Sequence, residues 1–390
     1  MTDITKPTLA ELESLDFSCF KYKYDILVEI ITDILIKLFP NTTQPCDAIF
    51  IKCDNGELKI PKQKLKVFIS SIKDKYNEVP YHSFYHAFSV FHMLYLFLNA
   101  NFTFIVNILN TQILKFILLM AGLFHDINHC GYSNDVYLKY FEKIPIDCHN
   151  EGFTDCKDTC ESPLENHHAT LAENMLISLF VKHIQGSNKS LIDIDIANYL
   201  KIIFASILHT DMSPTRTHHK EMINLLKTKE TQLSQQELIN VLVHCADISN
   251  PVLPFELFFQ WSVYVNYEFY KNAQLLKNEQ SSQLTIDLIK NTLFSDWFII
   301  NLAKPLWEAL LTKLDSNKFK NELRINLIKN SLKIKAAHNT KISVIPKEKF
   351  LAKLTISYNL SVNSVATGGS YTKHKYDKYK HKYFALRKIK

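Results

Sequence analysis

Apolar residues recur at intervals of three and four along most of the chain, which is the spacing of one face of an α-helix. The pattern is clear in DILVEIITDILIKLF, LKVFISSIKDKY, FSVFHMLYLFL, HATLAENMLISLFVKHI, QELINVLVHCADI and LFFQWSVYVNYEFYKNA. Alternating strand patterns are nearly absent, apart from AIFIKCDNGELKI, where Asn55 and Gly56 suit the turn of a short hairpin. The sequence therefore predicts an all-α, compact multi-helix domain.

Two helix starts carry the S-x-x-E pattern, in which a serine and a glutamate three residues later cap each other's backbone N–H groups. The pattern occurs as SPLE at 162–165, with Pro163 at the favoured first helical position, and as SQQE at 234–237. It predicts one helix over 166–184 and another over 235–248.

The most apolar stretch, FIVNILNTQILKFILLMAGLF, is interrupted by Asn107, Asn110, Gln112 and Lys115. It predicts a buried helix and not a membrane span, because a span needs about 20 nearly uninterrupted apolar residues. The chain begins without a secretory signal and its eight cysteines form no disulfide framework, so we expect a reducing, cytoplasmic location. The cluster of Cys148, Cys156 and Cys160 lacks the spacing of a structural zinc site.

The basic charge of the chain is concentrated at its C-terminal end. The whole chain carries +6, and residues 371–390 alone carry eight Lys or Arg and one Asp, so the rest is nearly neutral. Helical periodicity is lost from 341 onward. We predict an N-terminal extension over 1–15, one domain over 16–340 and a low-order Lys/Tyr-rich tail over 341–390. The tail could weakly contact a membrane surface or an acidic partner, whereas no specific nucleic acid is expected; the oligomeric state is not predicted.

Four histidines fall in two pairs with the same spacing. His82 and His86 lie in YHSFYHAFSV, and His125 and His129 lie in LFHDINHCG. Because residues four apart share one face of a helix, we expect each pair to line one wall of a site. Sixteen histidines occur in the chain, however, so either pair alone is more typical of half-buried surface positions.

Carboxylates in and near the same motifs change this interpretation. Asp126 follows His125 directly, Asp247 ends a predicted helix that is otherwise apolar, and LENHHA and LHTDMS add further ionisable residues. Burying so many charges without partners costs several kcal/mol each, and a bound metal is the commonest solution. Imidazole with carboxylate suits zinc, whereas oxygen ligands with retained waters suit magnesium or manganese. The first ion is predicted at His86, His125, Asp126 and Asp247, with Asp126 bridging to a second ion.

The order and spacing of these motifs resemble the catalytic domain of class I 3′,5′-cyclic-nucleotide phosphodiesterases, a branch of the HD-type metallohydrolases. The shared motifs are VPYHSFYHAFSV, HDINHCGYSN, LENHHA, TDMS, VHCADISNP, the QW pair at 260 and 261, and PLWEAL at 305–310, within 16–339. The resemblance implies metal-dependent hydrolysis of cAMP, cGMP or both to the nucleoside 5′-monophosphate in cyclic-nucleotide signalling. It also implies two divalent cofactors, Zn²⁺ at the first site and Mg²⁺ or Mn²⁺ at the second.

The resemblance also assigns roles to individual residues. The implied ligands of the zinc-like ion are His86, His125, Asp126 and Asp247. The residues implied to hold waters of the second ion are His129, Glu165 and Thr210. His82 matches the general acid for the 3′ oxygen of the substrate, a role that an imidazole with an unperturbed pKa of about 6.5 suits at neutral pH.

The purine pocket implied by the resemblance departs from the family pattern at one position. Its matching residues are Phe298 and Val265 as an aromatic and an aliphatic clamp, with Tyr81 and Asn250 beside them. The purine-reading glutamine of the family falls here on Ser295, next to Asp296. An ionised Asp296 only accepts hydrogen bonds and guanine presents two adjacent donors, so an inward Asp296 predicts a preference for cGMP over cAMP.

Other departures leave the proposed ligands in place. Ser83 stands where the family has Asn, Asn128 where it has Asp and Cys130 where it has Pro. Because no ligand of the first ion is lost, an inactive relative is disfavoured. Two alternatives stay open: an HD-family phosphohydrolase with a different phosphate-ester substrate, which the missing glutamine favours, and a non-catalytic nucleotide-binding regulatory pseudoenzyme.

Overall fold

The computed structural model of the chain describes residues 6–40, 47–140, 162–212, 217–228, 232–277 and 298–340. Helices make up most of these ranges, so the all-α prediction is confirmed. They are α1 Leu9–Leu12, α2 Tyr24–Leu38, α3 Lys62–Lys73, α4 Phe84–Asn99, α5 Thr103–Ile108, α6 Gln112–Phe124, α7 Asn134–Tyr140, α8 Pro163–His183, α9 Lys189–Leu208, α10 His218–Lys227, α11 Gln235–Asp247, α12 Phe255–Lys277, α13 Lys304–Lys313 and α14 Lys318–Thr340. Shorter helical turns cover Cys19–Lys21, Asn250–Val252 and Ile299–Ala303.

The predicted hairpin is present and forms part of a small sheet. Strands β1, Ala48–Lys52, and β2, Glu57–Pro61, pair antiparallel, and alternate residues of each strand are buried. A two-residue strand β3, Ile184–Gln185, pairs with the other edge of β2, and it is too short to leave an alternating pattern in the sequence. Asp195 holds the turn, because its carboxylate accepts hydrogen bonds from the backbone (2.9 Å) and side chain (2.8 Å) of Asn55.

The capping box predicted at 234–237 forms. The Ser234 hydroxyl accepts a hydrogen bond from the Glu237 N–H (3.2 Å), and the Glu237 carboxylate accepts one from the Ser234 N–H (2.7 Å). This exchange satisfies two backbone donors at the start of the helix. Helix α11 therefore begins where the sequence predicts and ends at Asp247, the last residue of its final turn.

The capping box predicted at 162–165 does not form. The Ser162 hydroxyl donates to the carboxylate of Asp211, and Glu165 accepts a hydrogen bond from the side-chain amide of Asn134 (2.9 Å). Both side chains are turned toward polar partners from other elements, and these contacts replace the local cap. Pro163 still occupies the first helical position, so α8 starts three residues earlier than predicted.

The most apolar stretch forms two helices, so the prediction of one buried helix was wrong. Thr111 separates α5 from α6, because its hydroxyl accepts a hydrogen bond from the Leu114 N–H (3.4 Å) and caps the second helix. Nearly every residue of α6 is buried. No helix in the described ranges combines the length and the apolar character needed to cross a membrane.

Helix α6 packs against α4, α9 and α11, and the ends of these helices position the polar motifs. His86 lies in the first turn of α4, His125 directly follows α6 and Asp247 is the last residue of α11. The apolar bodies of the helices belong to one core cluster. The core thus holds three of the predicted ligands at the ends of packed helices.

The last described helix, α14, is fixed to the turn that follows α11. The amide of Asn330, which is buried, donates hydrogen bonds to the carbonyl groups of Pro251 (2.9 Å) and Leu253 (2.8 Å). Leu323 and Leu327 on the same side of α14 are buried in the core. One face of this helix is therefore an integral part of the domain.

Candidate active site

Four side chains that are far apart in sequence converge at one buried point. The Nε2 atoms of both histidines and one carboxylate oxygen of each aspartate lie within 4.8 Å of one another in the group His86, His125, Asp126 and Asp247. The two imidazole nitrogens are 3.2 Å apart. His86 Nε2 lies 3.0 Å from Asp247 and 3.5 Å from Asp126, and His125 Nε2 lies 3.0 Å from Asp126 and 3.4 Å from Asp247. The structure thus brings together all four predicted ligands of the first ion.

These distances fit the edges of a metal coordination shell. Four nitrogen and oxygen ligands about 2.0–2.2 Å from a tetrahedral zinc ion lie about 3.3–3.6 Å from one another. The Nδ1–H of His125 donates to the carbonyl of Gly122 (2.9 Å), so Nε2 is the ring nitrogen that faces the carboxylates and is available to a cation. Asp126 Oδ2 is buried and has no hydrogen-bond partner among the described residues. The donor set therefore fits a divalent cation.

The electrostatics of the group also favour a cation. Burial raises the pKa of Asp126 and of Asp247, but the neighbouring imidazoles outweigh burial and hold both pKa values well below the usual range. Burial also lowers the pKa of His125, yet the two carboxylates raise this pKa well above its ordinary value. Two carboxylates that stay ionised beside imidazole nitrogens form a mixed donor set that binds transition metals well.

His82 lies beside this group and pairs with Glu268, a residue that the sequence did not single out. His82 Nδ1 is 2.5 Å from Glu268 Oε2. The other oxygen of the carboxylate accepts hydrogen bonds from the backbone N–H groups of Tyr81 (2.7 Å) and His82 (3.1 Å). The side chain of Glu268 is only 3% exposed. One buried carboxylate therefore orients both the ring and the backbone of His82 and leaves Nε2 as the ring nitrogen available to a ligand.

This pair raises the basicity of the imidazole. Burial lowers the pKa of His82, but the charges of Glu268 and Asp126 outweigh burial and raise the pKa to about 9. Burial raises the pKa of Glu268, and the positive charge of His82 overcomes that effect and brings it to about 2. The sequence suggested an unperturbed histidine with a pKa of about 6.5. In the structure the imidazole instead keeps its proton throughout the neutral range.

The equal spacing of the two histidine pairs does not reflect two helix faces, so that prediction was wrong. Helix α6 ends at Phe124 and the chain turns at Asn128, whose φ is +65°. His125 and His129 therefore do not lie one turn apart on a helix, and His82 similarly precedes α4. His129 stacks on His82 with ring centroids 3.8 Å apart. Tertiary contacts, and not helical periodicity, bring these rings together.

A second group of possible ligands shares Asp126 with the first. It comprises Asp126, His129 and His168, whose ligand atoms lie within 4.8 Å of one another. His129 Nδ1 accepts a hydrogen bond from the N–H of Gly131 (3.0 Å), which assigns the proton to Nε2. His168 donates its Nδ1–H to the carbonyl of Ile127 (2.6 Å), and its buried Nε2 has no hydrogen-bond partner within the described ranges. This group could hold a neighbouring cation or its waters.

Glu165 is half-buried and Thr210 is buried. Burial and the charge of Asp211 raise the pKa of Glu165 to about 7, although the hydrogen bond from Asn134 opposes the shift, and the charge of Asp126 contributes to it. Thr210 directly precedes Asp211, and its hydroxyl donates to the carbonyl of Ile207 (2.7 Å). The carboxyl of Glu165 can therefore accept or donate near neutral pH, and the Thr210 oxygen keeps its acceptor capacity.

Tyr81 and Asn250 form one wall of the first group. The amide of Asn250 donates to the Tyr81 hydroxyl (2.7 Å). The ring of Tyr81 lies 4.5 Å from that of His86, and Trp261 packs edge-on against both rings at 5.6 and 5.8 Å. An aromatic wall of this kind excludes water from one side of the ligand atoms.

The remaining pocket residues are only partly described. Val265 and Phe298 pack against the main core and are each partly buried. Ser295 and Asp296, which the sequence singled out for base recognition, lie outside the described residues, as do Cys148, Cys156 and Cys160 and the tail over 341–390.

This helical domain contains two overlapping groups of His and Asp side chains and, beside them, a buried His–Glu pair. Proteins with a centre of this kind are suited to metal-dependent hydrolysis. The family model of 3′5′-cyclic nucleotide phosphodiesterase matches residues 81–323, more than half of the chain. The chain therefore belongs to this family, as its motifs suggested.

Relatives and solved structures agree with this family. The chain is 27% identical over 330 residues to the 3′,5′-cyclic-nucleotide phosphodiesterase regA of Dictyostelium discoideum, covering 82% of this chain and 37% of the relative. It is 26% identical over 272 residues to the 3′,5′-cyclic-AMP phosphodiesterase 4C of Mus musculus, covering 64% of this chain and 36% of the relative. The structure of LmjPDEB1 in complex with IBMX superposes with a TM-score of 0.61 at 20% identity, covering 86% of this chain and all of the other, and shows the shared fold. The chain thus spans little more than a third of the length of these two curated relatives.

Sequence reasoning missed Glu268 and used His168 only as part of a motif. Glu268 lies seven residues after Trp261, which is two helical turns along the same side of α12. A single acid on the buried side of an aromatic-rich helix is the signal that could have revealed it. His168 offered a similar signal, because it follows Glu165 by three residues on α8.

Proposed function

We propose that this chain hydrolyses a 3′,5′-cyclic nucleotide, cAMP or cGMP, to the nucleoside 5′-monophosphate. The observation that carries the proposal is the convergence of two imidazole nitrogens and two carboxylate oxygens beside the His82–Glu268 pair. A phosphodiester anion needs positive charge at its oxygens and a proton for its leaving group. Family membership supports the same reaction.

The two groups of ligands support two divalent cations. His86, His125, Asp126 and Asp247 would hold the first, and mixed nitrogen and oxygen donors favour Zn²⁺ there. Asp126 would also bind the second, which would be Mg²⁺ or Mn²⁺ because its other partners suit water-mediated contact. Those partners are His129, Glu165, His168 and Thr210. When bound, the cations supply Lewis-acid polarisation of the phosphate and an activated water.

His82 acts as the general acid in this proposal. Glu268 holds Nδ1, so Nε2 is the atom that delivers the proton to the 3′ oxygen as its bond to phosphorus breaks. The raised pKa of about 9 keeps the donor protonated at neutral pH. Since Glu268 also accepts from the backbone of Tyr81 and His82, the ring is positioned before substrate binds.

Tyr81, Asn250, Val265 and Phe298 bind the nucleoside in this proposal. The hydrogen bond from Asn250 to the Tyr81 hydroxyl fixes the first two beside the ligand atoms. Ser295 and Asp296 take the place of a glutamine that reads the purine edge. Because an ionised Asp296 accepts two donors from guanine, we propose a preference for cGMP over cAMP.

Two further observations support the proposed cellular location and domain boundaries of the enzyme. Cys19, Cys53 and Cys245 form no disulfide within the described ranges, which supports a cytoplasmic location. The proposed catalytic domain spans 16–340, and the segment before it packs on the domain through buried Leu12 and Leu15.

The test is release of 5′-AMP and 5′-GMP from cAMP and cGMP by purified protein with zinc and magnesium. We expect turnover of at least one nucleotide and its loss in His82→Ala. His167→Ala is the matched control, since His167 contacts Asn128 (3.2 Å) and belongs to no ligand group of the described residues. Protein that binds metal but turns over neither nucleotide would contradict the proposal.

A second candidate is an HD-family phosphohydrolase with another phosphate-ester substrate, which Ser295 in the glutamine position favours. A panel of phosphate mono- and diesters separates the two functions. A regulatory protein without turnover is the third, and hydrolysis of any ester in the panel eliminates it.

A further inference from the structure

Asn272 is a buried asparagine on α12 that has no part in the proposed chemistry, and it lies one turn after Glu268. Its side-chain oxygen accepts hydrogen bonds from the backbone N–H (2.9 Å) and the hydroxyl (3.4 Å) of Ser133. Its amide donates to the carbonyl groups of Glu268 (2.7 Å) and Gly131 (3.4 Å). The side chain thus uses both acceptor sites and both donor hydrogens. It joins α12 to residues 129–134, which we call the 129–134 segment.

The 129–134 segment lies directly against the carboxyl group of Glu268. Gly131 has a φ of +77°, a conformation that glycine adopts without strain. A β-carbon at this position would lie 3.2 Å from Cγ1 of Val79 and 3.7 Å from Cδ of Glu268. The absence of a side chain at Gly131 therefore lets the segment lie close to both residues, and Asn272 holds it there.

The two ends of the segment lead to two residues proposed to serve the second cation. At its start, His129 accepts a hydrogen bond from the N–H of Gly131 (3.0 Å) and stacks on His82 with ring centroids 3.8 Å apart. At its end, Asn134 donates to the carboxylate of Glu165 (2.9 Å). A shift of the segment away from α12 would therefore move both residues relative to the proton donor.

We propose that Asn272 is a positioning residue that sets the second cation site against the His82–Glu268 pair. Asn272 belongs to no ligand group of the described residues and acts through the 129–134 segment. The proposed ligands of the first ion lie at the ends of α4, α6 and α11 or directly after them, so the first ion should not depend on Asn272. This inference rests on the proposed function, because it concerns the second cation of the same site.

The test is Mn²⁺ binding to the full-length, zinc-loaded protein without nucleotide, measured from the electron paramagnetic resonance signal of free Mn²⁺. Zinc stays in the first group, because nitrogen and oxygen ligands bind it more tightly than Mn²⁺. Asn272→Ala should weaken Mn²⁺ binding about 10- to 100-fold, the usual effect of losing a residue that orients metal ligands. Zinc content by elemental analysis should be unchanged. Gly131→Ala, whose methyl group meets Val79, should displace the same segment and weaken Mn²⁺ binding in the same way.

Turnover gives a second measurement that a purely structural role would not change selectively. At saturating Mn²⁺, Asn272→Ala should lower kcat at least about tenfold, because the segment stays misplaced when the ion is bound. KM should change less than kcat, since the residues proposed to bind the nucleoside lie outside the segment.

The matched control is Asn240→Ala. Asn240 is also a buried asparagine, and its side-chain oxygen accepts hydrogen bonds from Ser206 (3.0 Å) and Gln236 (2.7 Å), which joins α9 to α11. This variant should lose stability in denaturant unfolding as Asn272→Ala does. It should keep the Mn²⁺ affinity and the kcat of the wild type, which separates positioning from general loosening of the fold.

Three outcomes would overturn the inference. They are a wild-type Mn²⁺ affinity in Asn272→Ala, an equal loss of affinity in Asn240→Ala, and a wild-type protein that binds no Mn²⁺ beyond its zinc, even if it hydrolyses nucleotide. Mn²⁺ binding by a wild type that hydrolyses neither nucleotide would instead contradict the proposed function. The Mn²⁺ affinities of the variants would still decide this inference.

Discussion

Helix α11 carries two buried histidine environments that behave in opposite ways. At its end, Asp247 joins His86 and His125 in the first ligand group, where imidazoles face carboxylates. One turn earlier, His244 Nε2 lies 2.9 Å from His219 Nδ1, and neither belongs to any ligand group among the described residues. Burial and the neighbouring His219 lower the pKa of His244 to about 3, and burial lowers that of His219.

The difference shows that carboxylates, and not histidines, distinguish a candidate metal site from a packed core in this fold. Both places bury imidazole rings beside α11. Without an acid, two neutral rings share one hydrogen bond and join α10 to α11. With two ionised aspartates, the same ring type gains the negative charge that a divalent cation requires.

The distinction between the two histidine environments would be wrong if Asp126 were dispensable. Asp126→Asn removes a charge shared by both ligand groups, so we expect turnover to fall on the order of a thousandfold, the effect of losing several kcal/mol of transition-state stabilisation. Metal content per chain should fall as well, by elemental analysis. Asp195→Asn, which only loosens the turn at Asn55, is the control and should keep both. Normal metal content in Asp126→Asn would contradict the assignment.

A smaller loss is expected when the proton donor alone is removed. His82→Ala leaves all four ligands of the first group intact, so metal content should be unchanged while turnover falls about 100- to 1,000-fold. Steady-state kinetics with elemental analysis separate this variant from a ligand variant. Loss of metal together with activity would mean that His82 is itself a ligand.

The pH profile sharpens the role of Glu268. The pKa of His82 is raised to about 9, so the protonated donor is present below that pH and the rate should fall as pH rises through it. Glu268→Gln removes the main raising charge, lowers the pKa of His82 and should move this alkaline limb to lower pH, with about tenfold less activity at pH 8 than at pH 6. An unshifted limb would show that another group controls it.

The smallest effect on chemistry is expected at the histidine pair. His244→Leu should leave turnover within about threefold but lower the free energy of unfolding by about 1–3 kcal/mol, because His219 loses its partner. His244 titrates at about 3 when folded and near 6.5 when unfolded, so the unfolded chain binds more protons in between. Wild-type stability should therefore decline as pH falls from about 6.5 to about 3. Denaturant unfolding at several pH values should show a shallower decline in the variant.

The sequence predicts the helical fold and the set of four ligands because periodicity and residue type are local properties. It could not predict that the polar partners of Ser162 and Glu165 would outcompete a local cap, since Asp211 and Asn134 arrive from other elements. Nor could it predict the His82–Glu268 contact, which joins residues 186 positions apart.

Translation order gives the Asn330 contact another meaning. Tyr81 and Asn250, which share a hydrogen bond, are 169 positions apart in the chain. Asn330 lies 79 positions after Pro251 and holds the turn behind Asn250 through the carbonyl group of Pro251. A nascent chain that has emerged only to the end of α13 already holds every proposed ligand, His82 and Glu268, but not the amide that anchors this turn. The wall beside the ligands is thus completed last on the ribosome. A chain that stops before Asn330 would contain every proposed ligand, His82 and Glu268, but would lack the amide that anchors the turn behind Asn250.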